Sequence, residues 1–172
     1  MQFLCFHRDR DGSERLRDEL LEAHWSCMDG FELTARGPTL DGERATGSVH
    51  VVEVAGPAEA RAFAFEEPGW QAGVYRDVLI RRWHDLLGRT MWDYPGGRSG
   101  YFVLGLGEKP VDLELPDREV IAFGSLLSDQ GTTWLGTAAL LEAPSPESAR
   151  SVLTVDAYAS VEAHQWQFGG RR

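Results

Sequence analysis

The chain has 172 residues, with 17 Lys and Arg against 27 Asp and Glu and a formal net charge of −10. Nucleic-acid phosphates and anionic membrane surfaces are bound by clustered cations, so this excess of carboxylates argues against both as partners. With 42% hydrophobic and 10% aromatic residues the chain has the makings of a packed core. It lacks any run near the ~18 apolar residues of a membrane span.

Gln2 to His7 reads as a first strand. Asp11-Gly12-Ser13 offers a turn and N-cap and Gly30 a stop, which predicts a helix from Glu14 to Asp29 with Leu16, Leu20, Ala23 and Cys27 on its buried face. Phe31 to Arg36 and Ser48 to Val54 read as strands joined by a turn-rich segment from Gly37-Pro38 to Thr46. Pro57 opens a second helix to Phe65, and Val74 to Trp83 closes the unit as a strand. The order is βαββαβ, that of a ferredoxin-like unit.

The pattern then repeats. Gly47-Ser48-Val49-His50-Val51-Val52-Glu53-Val54 aligns with Gly136-Thr137-Ala138-Ala139-Leu140-Leu141-Glu142-Ala143, and Pro57-Ala58-Glu59-Ala60-Arg61 with Pro146-Glu147-Ser148-Ala149-Arg150. Upstream, Ala35-Arg36-Gly37-Pro38 aligns with Ala122-Phe123-Gly124-Ser125. Tyr101 to Leu106 and Val120 to Gly124 serve as the second copy's first strands; the segment between them, with Pro110 and Pro116, is too short and broken for the long helix. The expected architecture is therefore α+β: ferredoxin-like units in tandem, 1–85 and 98–172 with a linker at 86–97, closing one pseudo-dimeric α+β barrel.

The residues Leu21-Glu22-Ala23-His24, Ala35-Arg36-Gly37-Pro38, Gly47-Ser48 opening a strand that ends at Glu53, Ala58-Glu59-Ala60-Arg61 and Glu67-Pro68 resemble the YCII-related (YciI-like) family. The second copy resembles it from Val120 onward, with Asp156 at the acidic position. The resemblance implies a ferredoxin-like unit that pairs sheet to sheet and a site centred on the helix histidine and the Asp of an Asp-Pro step. Members are mostly uncharacterised, and at least one is similar to a dehydrochlorinase of a chlorinated hydroxyquinol. His24 matches outright, whereas the Asp-Pro step is Glu67-Pro68 in one copy and Asp156-Ala157 in the other.

His24 and Glu67 are thus the candidate catalytic pair. A carboxylate that holds one ring nitrogen fixes the imidazole's tautomer and supports its cation, as a general base or acid requires. By spacing alone His24 reads first as a core histidine beside Leu20 and Cys27, and Glu67 equally as a solvated acid at a helix end. Ser48 and His50, two apart on one strand, share a face and are candidate substrate contacts, with Trp70 as a stacking surface. Asp156 is a candidate carboxylate for a second site, or a structural residue. His7 and Arg8 end the first strand, where they read as exposed loop charges or, alternatively, as residues presented at a cleft rim. No histidine pair has metal-ligand spacing, Gly105-Leu106-Gly107 is no dinucleotide fingerprint, and Ser125 and Ser128 stand in no nucleophile elbow, so neither metal nor cofactor is expected.

The resemblance implies a small-molecule enzyme of lyase or isomerase type, carrying out elimination (dehydrochlorinase- or dehydratase-like) or isomerisation of a cyclic or aromatic substrate. The alternative is a non-catalytic ligand-binding or structural module of the same fold. A monomeric pseudo-dimer or a homodimer is expected. The absence of an export leader, two unpaired cysteines and 16 Arg to one Lys point to a bacterial cytoplasm of a GC-rich organism.

Overall fold

The computed structural model describes residues 1–115, 119–153 and 155–170, with the backbone alone at Val155. Eight strands run β1 (Gln2–Asp9), β2 (Glu32–Asp41), β3 (Arg44–Glu53), β4 (Tyr75–Asp85), β5 (Ser99–Leu106), β6 (Val120–Leu127), β7 (Trp134–Leu141) and β8 (Ser160–Gln167). They close an antiparallel barrel in the order β1-β3-β2-β8-β5-β7-β6-β4. Five short helices decorate it: α1 (Glu14–Glu19), α2 (Leu21–Met28), α3 (Pro57–Phe65), α4 (Pro68–Ala72) and α5 (Pro146–Arg150). Among the described residues no helix is long and apolar enough to cross a membrane.

Alternation along the strands builds three apolar layers. Leu4 and Phe6 on β1 and Val49 and Val51 on β3 point inward, where they meet Trp83, Phe102, Leu104, Leu140 and Trp166. The outward residues Phe3, Cys5 and Val52 pack under Met28, Ala60 and Phe63 of α2 and α3. On the other side of the barrel Val103, Phe123 and Ala139 pack under Ala149, Leu153 and Tyr158. Leu33 and Ala35 belong to different layers although two residues apart, because a bulge between them flips the alternation.

Register ties the two halves of the chain together. Gly37 faces Val49 in β2 and β3, and Gly124 faces Ala138 in β6 and β7. Bulges fall between Leu33 and Ala35 and, in the second pair, between Val120 and Ala122. Where the halves meet, Trp166 of β8 pairs with Thr39 and Trp83 of β4 pairs with Leu126. Each indole takes the space of a missing side chain: a Cβ on Gly37 would stand 1.9 Å from Gln167 O and 2.7 Å from Trp166 Nε1, and one on Gly124 2.6 Å from Trp83.

Several details depart from the sequence expectations. The first helix is broken at Leu20 (φ −97°, ψ 0°), and Ala23 is exposed while Met28 is buried. Ser13 precedes α1 but its hydroxyl donates to Arg10 O (2.7 Å) rather than capping the helix. The segment from Gly37 to Thr46 is a long hairpin and not a turn-rich loop; its turn is confined to Gly42 and Glu43, with Gly42 at φ 63°. Pro38 is tolerated inside β2 because the ladder to β8 stops at Thr39, so no N–H is needed there. Between β5 and β6 the described residues contain no helix; Pro116 lies outside them.

Candidate active site

His24 projects from α2 toward the start of α4, whose N-cap is Glu67. Pro68 at the first helical position and Gly73 at φ 84° bracket this five-residue helix, so Glu67 is held at a defined corner. Its Oε2 lies 3.0 Å from His24 Nδ1, and its Oε1 accepts the Trp70 N–H. Glu67 is only 1% exposed. Burial pushes this carboxyl up, but the His24 hydrogen bond, the nearby imidazoles of His24 and His7 and the Trp70 N–H outweigh it and hold the group below its ordinary range. Gly69 makes the approach possible, since a Cβ there would stand 2.9 Å from both Glu67 Oε1 and the Tyr75 ring.

Two further histidines lie behind the pair. His50 on β3 is 5.4 Å from the His24 ring and 6.2 Å from that of His7 on β1, centroid to centroid. His7 Nε2 donates to Ala64 O (2.9 Å). The Nδ1 atoms of His7 and His50 are buried without a hydrogen-bond partner among the described residues. Burial lowers the His7 imidazole; burial and then the positive charge of His24 and His7 lower His50 well below its ordinary value. The Cys27 thiol, close enough to Glu67 to feel its charge, is pushed up by burial and by that carboxylate, so it is no nucleophile at neutral pH.

These shifts predict a fold that loses stability in acid. Unfolded, each histidine takes a proton near pH ~6.5, whereas folded His7 and His50 resist until lower pH. The unfolded chain then binds more protons, so stability falls as pH drops below ~6.5, with a slope approaching ~1.4 kcal/mol per pH unit for each histidine. Glu67, lowered in the fold, adds a further loss below the ordinary carboxylate range of ~4.3. Urea midpoints measured from pH 7.5 to 4.5 are expected to fall through this window, and less steeply in His50→Leu; a flat profile in the unsubstituted protein would contradict the assignment.

A cavity of about 300 Å³ lies over His24, His50 and Ser48, between α1, α2 and the outer face of β2 and β3. Its far wall is Gln167, the last residue of β8, with Phe168 and Gly169 just after it, from the opposite end of the chain. Arg17 of α1 lines it too, donating to Asp9 Oδ1 (2.8 Å) and Ser48 Oγ (2.7 Å). The structure thus brings together His24, Glu67, Ser48 and His50. Trp70 is placed elsewhere: its indole packs edge-on against Phe65 (4.9 Å) and it does not line this cavity, so its contact with the site is the N–H to Glu67. Asp156 is exposed in the single turn Val155–Ala157 and does not line it either.

Arg17 and the wall at the end of β8 were not expected from the sequence, and His7 lies elsewhere than expected. His7 is 1% exposed, neither a loop charge nor a rim residue; its alternation with Phe3 and Cys5 is the signal that places it under the helices. At the register positions of His7, Ser48 and His50 the second half has Gly105, Thr137 and Ala139. There the Tyr158 hydroxyl donates to Thr137 Oγ1 (2.9 Å), and the Tyr158 and Leu153 side chains fill the space beside Gly105.

The YCII-related domain model matches residues 1–84. Residues 1–84 belong to the YCII-related family. This YCII-related segment holds β1 to β4 and α1 to α4, and with them His24, Glu67, Ser48 and His50. No curated protein matches the chain. Among solved structures, the chain is similar to the 5-chloro-2-hydroxyhydroquinone dehydrochlorinase of Burkholderia phenoliruptrix AC1100, solved in complex with 2,5-dihydroxybenzoquinone. The two are 27% identical with a TM-score of 0.46, over 49% of this chain and 94% of that one.

Proposed function

We propose that this YCII-related protein is a small-molecule enzyme in which His24, supported by Glu67, moves a proton on a cyclic or aromatic substrate held in the 300 Å³ cavity. The observation that carries the reading is the 3.0 Å contact between His24 Nδ1 and a buried carboxylate at the edge of that cavity. With Nδ1–H donating to Glu67, Nε2 is the nitrogen left to accept a proton, and the carboxylate stabilises the imidazolium that forms. In an elimination, Nε2 takes a proton from the substrate, the electron pair of that bond becomes the new double bond, and the leaving group departs with its own pair. In an isomerisation the same nitrogen returns the proton at another atom. Elimination or isomerisation is what the family resemblance implies; it is an analogy of fold and motif. Ser48 and His50 line the same cavity and are the proposed substrate contacts.

The matched registers of the two halves support reading the chain as tandem ferredoxin-like units, 1–85 and 98–172, that close one pseudo-dimeric barrel. The second unit, with Gly105 and Ala139 at the histidine positions, serves as scaffold and supplies the wall at the end of β8. A barrel closed within one chain leaves no sheet edge to pair, which favours a monomer. Two free cysteines, Cys5 and Cys27, fit a reducing cytoplasm.

A screen of halogenated and hydroxylated cyclic compounds tests the proposal. Turnover is expected in the unsubstituted protein, and Glu67→Gln, which keeps the size but loses the charge, is expected to lower kcat about tenfold to a hundredfold. Equal turnover in both would remove Glu67 from the mechanism. Saturable binding without turnover of any compound would favour the ligand-binding module instead.

A further inference from the structure

His50 lines the His24 cavity and is 3% exposed, yet its ring makes no hydrogen bond among the described residues. Its Nδ1 is sealed from solvent, so Nε2 is the nitrogen that can meet the cavity. The polar groups around it are already engaged. Ser48 Oγ, two residues along β3, accepts from Arg17 (2.7 Å), Glu67 is taken by His24 and the Trp70 N–H, and His7 Nε2 is spent on Ala64 O. Phe63 meets the His50 ring edge-on (5.6 Å) and offers it no acceptor. Buried side chains of this kind ordinarily have a partner. Nor does the fold demand a histidine here, since the second half has Ala139 at the same register position.

Burial, and then the positive charge of His24, His7, Arg17 and Arg36, keeps the ring neutral, so it carries one proton. An orphaned buried N–H is rarer than an orphaned acceptor, which puts that proton on Nε2 and leaves the sealed Nδ1 bare. Nε2–H is then a neutral donor presented to the occupant of the cavity. The His50 ring centre is 5.4 Å from that of His24, so one small molecule meets both rings, with one atom at His24 and a neighbouring acceptor at His50. A base paired with a neutral imidazole donor suits proton removal beside a carbonyl, because the donor stabilises the oxygen on which charge develops and is not itself a strong acid.

We propose that His50 is a second catalytic residue, a donor to a substrate carbonyl, and that the substrate is a ring ketone whose acidic C–H lies on the carbon beside that carbonyl. The proposal rests on the reading of His24 as the base. His24 Nε2 takes the proton, the pair of the C–H bond becomes the C=C bond of an enolate, and the carbonyl π pair moves onto oxygen, where the His50 N–H holds it. In an elimination the oxygen's pair re-forms the carbonyl, the enolate C=C pair forms a double bond to the next carbon, and the leaving group there departs with its own pair. In an isomerisation the enolate takes the proton back from His24 at another atom.

The test follows exchange of the hydrogens beside the carbonyl of cyclohexanone and of cyclohexane-1,4-dione in deuterium oxide by proton NMR, with buffer alone as the control. The unsubstituted protein is expected to exceed the buffer rate with one or both ketones. His50→Leu is expected to lower the protein's contribution by about 10²-fold or more, the usual loss for one donor to a developing oxyanion, with an unchanged circular dichroism spectrum. His50→Gln, which returns an N–H, is expected to recover part of it, a rescue that a purely structural histidine would not show. Exchange in His50→Leu as fast as in the parent, with His24→Ala inactive, would overturn the role of His50 and leave the His24 reading standing. Undiminished exchange in His24→Ala would overturn both. No exchange above buffer by a parent that turns over other cyclic compounds would overturn the carbonyl assignment alone, and a parent that does neither would overturn both readings.

Discussion

His24→Ala is expected to lower turnover by about 10²–10⁴-fold, the ordinary contribution of a positioned general base. On the proposed function the loss should lie in kcat more than in KM, because the imidazole would act on the transferred proton, whereas the cavity lining of Arg36, Ser48, Phe168 and Gly169 is unchanged. Folding should survive. His24 sits on a short helix, its side chain is 15% exposed, and its partner Glu67 retains the Trp70 N–H. Stopped assays on the compound found by screening, with urea unfolding as a control, separate the effects. A variant that folds and turns over as fast as the parent would leave His24 as a structural residue that happens to meet a carboxylate.

Trp166→Ala is expected to cost about 3–5 kcal/mol of stability, the usual range for a fully buried Trp. Trp166 is 1% exposed and belongs to the inner layer of the barrel with Leu4, Phe6 and Val51. It also closes the junction between β2 and β8, where the ladder consists of only Thr39 to Trp166 and Leu40 to Gln165, so little backbone pairing remains to hold that edge. The cavity left would sit over Gly37, whose missing side chain exists to admit the indole. Trp83→Ala, at the junction of β4 and β6 over Gly124, is expected to follow with a similar loss. Urea unfolding followed by far-ultraviolet circular dichroism measures both; a loss under about 1 kcal/mol for Trp166→Ala would mean that this junction is not where the barrel is secured.

What the sequence revealed and what it hid follow physical lines. Strands β1, β3 and β4 and helix α3 were legible because their apolar residues recur at the period of the element and Pro57 marks a helix start. The candidate site was legible at His24, Glu67, Ser48 and His50 through motif order and through the two-residue period of a strand. Arg17 was hidden because its role depends on Asp9 and Ser48, which approach it only after the helix packs on the sheet. The wall formed by Gln167 and Phe168 was hidden for a different reason: no local pattern announces that the last strand closes on β2. The hairpin was misread because Gly37 and Pro38 are turn residues by composition, whereas here glycine makes room for Trp166 and proline ends a ladder.

The central claim is that Glu67 holds His24 with the proton on Nδ1 and Nε2 available to the substrate. Nitrogen-15 NMR of the histidine side chains at neutral pH tests it directly, because the two ring nitrogens of a neutral imidazole differ strongly in shift when one is protonated. The Nδ1–H tautomer is expected for His24, with loss of that preference in Glu67→Gln; an Nε2–H tautomer, or a His24 signal indifferent to Glu67→Gln, would contradict it.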